Sequence, residues 1–252
     1  MKKDLISILD VKNDLERIIN DAIEIKKYGC KRIMDGKIMA MIFEKSSTRT
    51  RVSFDVAVKK LGGHSIFLSK NDIQMGRGET IEDTAKVLSK YVDIIAYRAY
   101  SHENMKELAR HASVPVINAL DNAEHPCQVI ADFMTIKEKK GRLSDLNFVY
   151  IGDGNNNMAH SYLLAGAIAG MKVKIVSPKK YWPSDFYIKK ARELGGKFEI
   201  EEMNENSPLD ADIIATDTWV SMGDEQEKEQ RIKDFQGYTV TEGIMAKAKK
   251  DA

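Results

Sequence analysis

From residue 37 to residue 217 the chain alternates short apolar runs with helical segments, and that alternation limits the folds open to it. The apolar runs are "KIMAMIF", "HSIFL", "DIIAYRA", "VPVINA", "LNFVYIGD", "KVKIVSP", "KFEIEE" and "ADIIATD". Most of these runs are short and apolar throughout, which fits sheets buried on both faces. Between them stand "TRVSFDVAVKKLG", stopped by Gly62 and Gly63, and "TIEDTAKVLSKYV", with Thr80 as N-cap and Asp83 in its first turn. "HENMKELARHA", "HPCQVIADFMTIKEKKG", "MAHSYLLAGAIAG", "SDFYIKKARELGG" and "EQEKEQRIKDFQ" complete the helical set. A strand–helix–strand rhythm predicts an α/β fold of parallel sheets flanked by helices. The charged stretch "KEKKGRLSDLN" breaks the rhythm. It predicts two domains, 1–143 and 144–252.

The 252 residues include 39 Lys plus Arg against 38 Asp plus Glu, with 43% hydrophobic residues. A core is therefore expected, and bulk-charge binding to nucleic acid is not. Cys30 and Cys127 fit no zinc or disulfide spacing. The N-terminus lacks the apolar core of a signal peptide, and no run approaches the ~20 apolar residues of a membrane span. These features predict a cytoplasmic protein.

Against that balanced charge, "FEKSSTRTR" concentrates arginines and hydroxyls at a strand-to-helix turn. A helix N-terminus supplies unpaired N–H groups and a positive dipole end. Ser47, Thr48 and Thr50 add hydroxyls, and Arg49 adds a fork matched to phosphate oxygens. A capped helix with surface arginines is the bland alternative, but the density of the cluster favours an anion site. The stretch is not a Walker loop, because it lacks the glycines and the lysine. "EHPCQ" closes another strand-to-helix turn with His125 and Gln128, and Arg98 ends a third strand. Singly these would be caps or ion-pair partners. Together, at three strand ends, they predict one anionic carbonyl ligand.

"STRTR" followed by "HPCQ" resembles the aspartate and ornithine carbamoyltransferases. The resemblance implies that Ser47, Thr48, Arg49 and Thr50 hold the phosphate of carbamoyl phosphate. It implies that Arg98, His125 and Gln128 address the carbamoyl group. Gln74, in "NDIQMGRGET", matches a loop that reaches the site of an adjacent subunit, which implies a homotrimer or a multiple of it. Arg51 is assigned to supporting the loop. "DTWVSMG" carries the Ser-Met-Gly loop that marks the ornithine branch. On that likeness Asp217 takes the α-ammonium of ornithine, and Ser221 and Met222 take its other polar groups. In "GDGNNNMAHS", Asn157 matches the ligand of the ornithine carboxylate. Asn156 takes that place if the turn is one residue shorter. A lone "GDG" without the rest of the G-x-G-x-x-G pattern is not read as a dinucleotide site.

The implied architecture is a carbamoyl phosphate-binding domain and a Rossmann-like ornithine-binding domain. The implied reaction moves the carbamoyl group to the δ-amine of ornithine in arginine metabolism, with Arg98, His125 and Thr50 stabilising the developing oxyanion. No metal or organic cofactor, nucleic acid or membrane is expected to take part. The family continues past "YTVTEGIMAKAKKDA" with a strand and a His-Cys-Leu-Pro motif, so the second domain is expected to lack its usual C-terminal part. Two alternatives follow: a weak or inactive carbamoyl phosphate-binding subunit, or a carbamoyltransferase for another amine.

Overall fold

The computed structural model describes residues 2–75, 78–220 and 225–252. It divides into two compact units, one of residues 1–11 and 17–127 and the other of residues 12–16 and 128–252. The two sheets fall on either side of residue 143, while the compact units part between Cys127 and Gln128, inside a helix.

The first unit holds four parallel strands: β1 (Ile38–Phe43), β2 (His64–Ser69), β3 (Ile94–Arg98) and β4 (Val116–Leu120), in the order β2-β1-β3-β4. Helices α1 (Leu15–Tyr28), α2 (Thr48–Lys60), α3 (Ile81–Leu88) and α4 (His102–His111) flank them. The apolar run of β1 is explained by its place between two neighbours and two cores. Ala40 and Ile42 pack with Ile95, Tyr97 and Val116 on one face. Met39, Met41 and Phe43 pack with Val58 and Ala96 on the other. Chain order reverses between β1 and β3, which is where open parallel sheets carry their ligands. The register sets Phe43 of β1 beside Arg98 of β3, so both strands deliver their next residues to one edge.

The second unit repeats the plan with β5 (Asn147–Ile151), β6 (Lys172–Val176), β7 (Lys197–Glu201) and β8 (Ile213–Ala215), all parallel, in the order β7-β6-β5-β8. Its helices are α5 (Pro126–Lys140), α6 (Asn157–Ala169), α7 (Asp185–Glu193), α8 (Lys228–Asp234) and the short α9 (Glu242–Met245). The first two residues of α5 count with the first unit. Helix α6 is buried from Met158 to Gly166, which accounts for its lack of a polar face. Here the reversal lies between β5 and β8, so the turns after those strands occupy the ligand-bearing edge. The expected helix "EQEKEQRIKDFQ" begins as a 3-10 turn, Glu225–Glu227, and becomes α-helical only from Lys228.

Gly154 fixes the turn after β5. A Cβ there would lie 2.8 Å from the Tyr181 carbonyl oxygen and 2.9 Å from Ile175 Cγ2. Its N–H donates to Ser177 Oγ at 3.1 Å, and that hydroxyl donates to the Tyr181 carbonyl at 3.0 Å. Backbone cannot retreat as a side chain can, so Gly154→Ala is expected to lower stability by about 1–3 kcal/mol. Urea unfolding measures this, and an unchanged midpoint would contradict the close approach.

Candidate active site

Ser47 caps α2 in an extended conformation, its side chain accepting from Thr50 N at 3.3 Å. The cap turns the first N–H groups of a 13-residue helix toward the edge where β1 ends. Thr48 and Arg49 are exposed there, and Ser47 and Thr50 are half-buried. Arg51 points elsewhere, its guanidinium 3.7 Å from the centre of the Phe67 ring, which meets Phe43 edge-on at 5.3 Å. Beside the cap, a cavity of about 520 Å³ is lined by Ser47, Thr48, Arg51, Lys45 and Lys70 among others.

Glu44 locks this edge, a role the sequence reading missed. Its carboxylate accepts from Tyr97 OH at 2.8 Å and from Tyr100 N at 2.6 Å, and its own N–H donates to the Arg98 carbonyl at 2.9 Å. Three hydrogen bonds thus hold the end of β1 against the end of β3. An acid at a strand end in a chain with tyrosines near a second strand end was the available signal.

Arg98 is 5% exposed, and its Nη1 donates to Thr50 Oγ1 at 3.4 Å. Its Nε is buried without a hydrogen-bond partner among the described residues. Burial lowers the guanidinium pKa, but an arginine stays charged. A buried cation with an unmatched donor favours an anion or carbonyl oxygen beside it. His125 is pushed down to about 4 by burial and by the Arg98 charge, with Asp121 acting in the opposite direction. It is therefore a neutral imidazole at ordinary pH, carrying one N–H donor.

The turn that carries His125 is wound around Asp121. This buried carboxylate accepts from Ala123 N (2.7 Å), Glu124 N (2.8 Å) and Asn118 Nδ2 (2.9 Å), and faces His102 Nδ1 at 2.7 Å. Leu120, just before it, has φ 133°, a conformation costly for a branched side chain. It is held by its N–H donating to Asn118 Oδ1 at 2.9 Å and its carbonyl accepting from Ala99 N at 3.0 Å. Ser47, Thr50, Arg98 and His125 are thus gathered at one sheet edge. Gln128 is exposed in the first turn of α5. Gln74 is exposed in the segment after β2.

In the second unit, Asn157 opens α6 half-buried. Asn156 is the N-cap: its Oδ1 accepts from Ala159 N at 2.8 Å and its Nδ2 donates to Tyr150 OH at 3.0 Å. Those contacts occupy Asn156. Asp217 follows β8 and accepts from Thr218 N at 2.7 Å. Burial of its carboxyl raises its pKa, Thr218 N opposes this, and the charge of Asp132 adds to the rise. The expected ligands Ser221 and Met222 lie outside the described residues.

A buried ion pair, also missed, steadies both turns. Arg231 of α8 donates through Nη2 to Asp153 Oδ2 and through Nε to the Trp219 carbonyl at 2.6 Å. Trp219 in turn stacks on Phe235 at 6.0 Å. The turn after β5 and the segment after β8 are thereby tied to one guanidinium.

Family models match nearly the whole chain. Residues 3–138 match the aspartate/ornithine carbamoyltransferase carbamoyl-P binding domain, and residues 144–252 match the Asp/Orn binding domain of the same family. The chain is 52% identical over 255 residues to an ornithine carbamoyltransferase of Picrophilus torridus, covering 100% of this chain and 84% of that protein. It is 48% identical to a catabolic ornithine carbamoyltransferase of Thermoplasma volcanium, covering 99% and 84%. Among solved structures, ornithine carbamoyltransferase from Pyrococcus furiosus superposes with a TM-score of 0.89 at 45% identity, covering 99% of this chain and 82% of that one. The anabolic enzyme of Campylobacter jejuni gives 0.94 at 41% identity, covering 100% and 84%.

Glu124 offers a pH test of this edge. It is 2% exposed, its Oε2 accepts from Ser7 Oγ (2.8 Å) and Ile8 N (3.0 Å), and burial pushes its pKa up to about 7. A carboxyl raised on folding binds a proton more tightly in the folded state. Its contribution to stability is therefore favourable at low pH and lost as pH rises from about 4.5 to 7. Glu124→Gln keeps an acceptor oxygen without the charge. It is expected to be more stable than the parent at pH 8 by about 1–3 kcal/mol, the gain vanishing below pH 5. Denaturant unfolding at both pH values measures the difference, and a pH-independent difference would contradict the assignment.

Proposed function

Because the chain belongs to the aspartate/ornithine carbamoyltransferase family, we propose that it transfers the carbamoyl group of carbamoyl phosphate to the δ-amine of L-ornithine, giving L-citrulline and phosphate. The observation that carries this reading is Arg98, a buried guanidinium with an unmatched Nε, set beside Thr50 and the neutral His125 at the end of a parallel sheet.

Carbamoyl phosphate binds with its phosphate on the α2 N-terminus, Ser47, Thr48, Arg49 and Thr50. The unprotonated δ-amine attacks the carbamoyl carbon, and the C–N bond forms as the carbonyl oxygen becomes an oxyanion. Arg98, the His125 N–H and the Thr50 hydroxyl stabilise that charge. Collapse breaks the bond to the phosphate oxygen. Phosphate departs into the Arg49 site and takes up the proton that the attacking amine loses. A His125 that titrates near 4 stays neutral throughout, so it acts as a fixed donor and not as an acid that cycles. Gln128 addresses the carbamoyl NH2. Asn157 takes the carboxylate of ornithine and Asp217 its α-ammonium, with Ser221 and Met222 completing that site.

Gln74 is read as completing the site of a neighbouring subunit, so the working form is a homotrimer or a multiple of trimers. Among the described residues no helix is long and apolar enough to cross a membrane. Free Cys30 and Cys127 accord with a reducing compartment, and we read the protein as cytoplasmic.

The test is citrulline formation by the purified chain, with aspartate as the competing acceptor. Citrulline without carbamoylaspartate is expected; carbamoylaspartate alone would assign the protein to the other branch. Arg49→Ala should weaken carbamoyl phosphate binding by about 1.5–3 kcal/mol, and an unchanged calorimetric affinity would remove the phosphate assignment. Arg49→Ala and Gln74→Ala chains, each inactive alone, should regain activity when dissociated and reassembled together. Failure to regain it would exclude a site shared between subunits.

A further inference from the structure

Gln128 and Asp132 stand one turn apart on α5, and their contact fixes which way the glutamine amide faces. Asp132 Oδ1 accepts from Gln128 Nε2 at 2.9 Å, and Asp132 Oδ2 accepts from Tyr162 OH at 2.6 Å. A carboxylate has only acceptor oxygens, so the group that Gln128 turns toward it must be the NH2. The amide oxygen of Gln128 is then directed away from Asp132.

The carboxylate is itself held by a rigid partner. Tyr162 is 7% exposed on α6, with its ring 4.8 Å from Phe148 and 5.8 Å from Tyr150. Its burial also keeps the phenol protonated, because the pKa is pushed far up by burial and by the Asp132 charge. The hydroxyl therefore remains a donor, and its partner oxygen on Asp132 is fixed as an acceptor.

We propose that Asp132 is a positioning residue that holds the Gln128 amide with its oxygen outward, so that Gln128 accepts a hydrogen bond from the carbamoyl NH2. This rests on the carbamoyl phosphate reading given above. A neutral amide oxygen suits that NH2 better than a carboxylate would, since a second negative charge near the phosphate would repel the donor. Asp132 thus sets the polarity of the contact without touching the substrate.

Asp132→Asn tests the assignment. Tyr162 OH still donates to the asparagine oxygen, so the asparagine NH2 faces Gln128 and turns its amide around. The Gln128 NH2 then meets the carbamoyl NH2, donor against donor. Carbamoyl phosphate affinity is expected to fall roughly 10- to 100-fold, read by calorimetry, with the melting temperature little changed. In a Gln128→Ala background the same Asp132→Asn change should cost nothing further, because no amide remains to orient. Losses that multiply in the double variant, or an unchanged affinity in Asp132→Asn, would overturn the proposal. If the parent chain itself fails to bind carbamoyl phosphate, the functional reading falls and this assignment with it. Binding by the parent with an indifferent Asp132→Asn overturns the assignment alone.

Discussion

Everything in the first unit depends on the bridge that Glu44 makes between two parallel strands. Parallel sheets bury both faces, so their chemistry is confined to the strand ends. At the reversal of chain order, β1 and β3 leave the sheet side by side, and their continuations need a hold on each other. Glu44 supplies that hold through Tyr97 OH, Tyr100 N and the Arg98 carbonyl. With those ends pinned, Ser47 can cap α2 facing the same edge from which Arg98 rises. The cluster of Ser47, Thr50 and Arg98 at this edge is a consequence of topology, capped and braced by side chains.

Charge at this edge is arranged by burial more than by pairing. Arg98 keeps its charge in a dry setting, and that charge helps to hold His125 neutral. Asp121 works in the other direction, and four groups converge on its carboxylate. The unfavourable backbone of Leu120 sits where that turn leaves β4. Strain of this kind persists only where surrounding contacts over-determine it, and here two hydrogen bonds and the Asp121 turn do so.

The second unit solves a related problem with a different bond. The turn after β5 and the segment after β8 are both fastened to Arg231. A guanidinium can serve two acceptors at once because its donors are splayed in a plane. Tyr181 and Phe235 rings lie 4.8 Å and 5.7 Å from it, which offsets some of the cost of burying the charge.

Much of this was legible in the chain as written. Periodicity alone determined the two parallel sheets, because a strand with no polar face has no other stable setting. Thr80 as an N-cap and Gly62 as a helix stop followed from local chemistry, which acts over a few residues. The donor motif was legible for the same reason: Ser47 to Thr50 are neighbours in sequence, and capping is local. The helix of residues 225–235 was only partly legible, since its first turn is 3-10 and polar all round. What tertiary structure alone decided are the contacts over long separations. Glu44 with Tyr97 spans 53 residues and Arg231 with Asp153 spans 78. That Asn156 is the N-cap of α6 and bonds Tyr150 was also undecidable from the string. The N-cap choice depends on Tyr150, whose hydroxyl reaches Asn156 only once β5 and α6 have packed. Local rules name the residues able to do chemistry; packing determines which of them are already engaged.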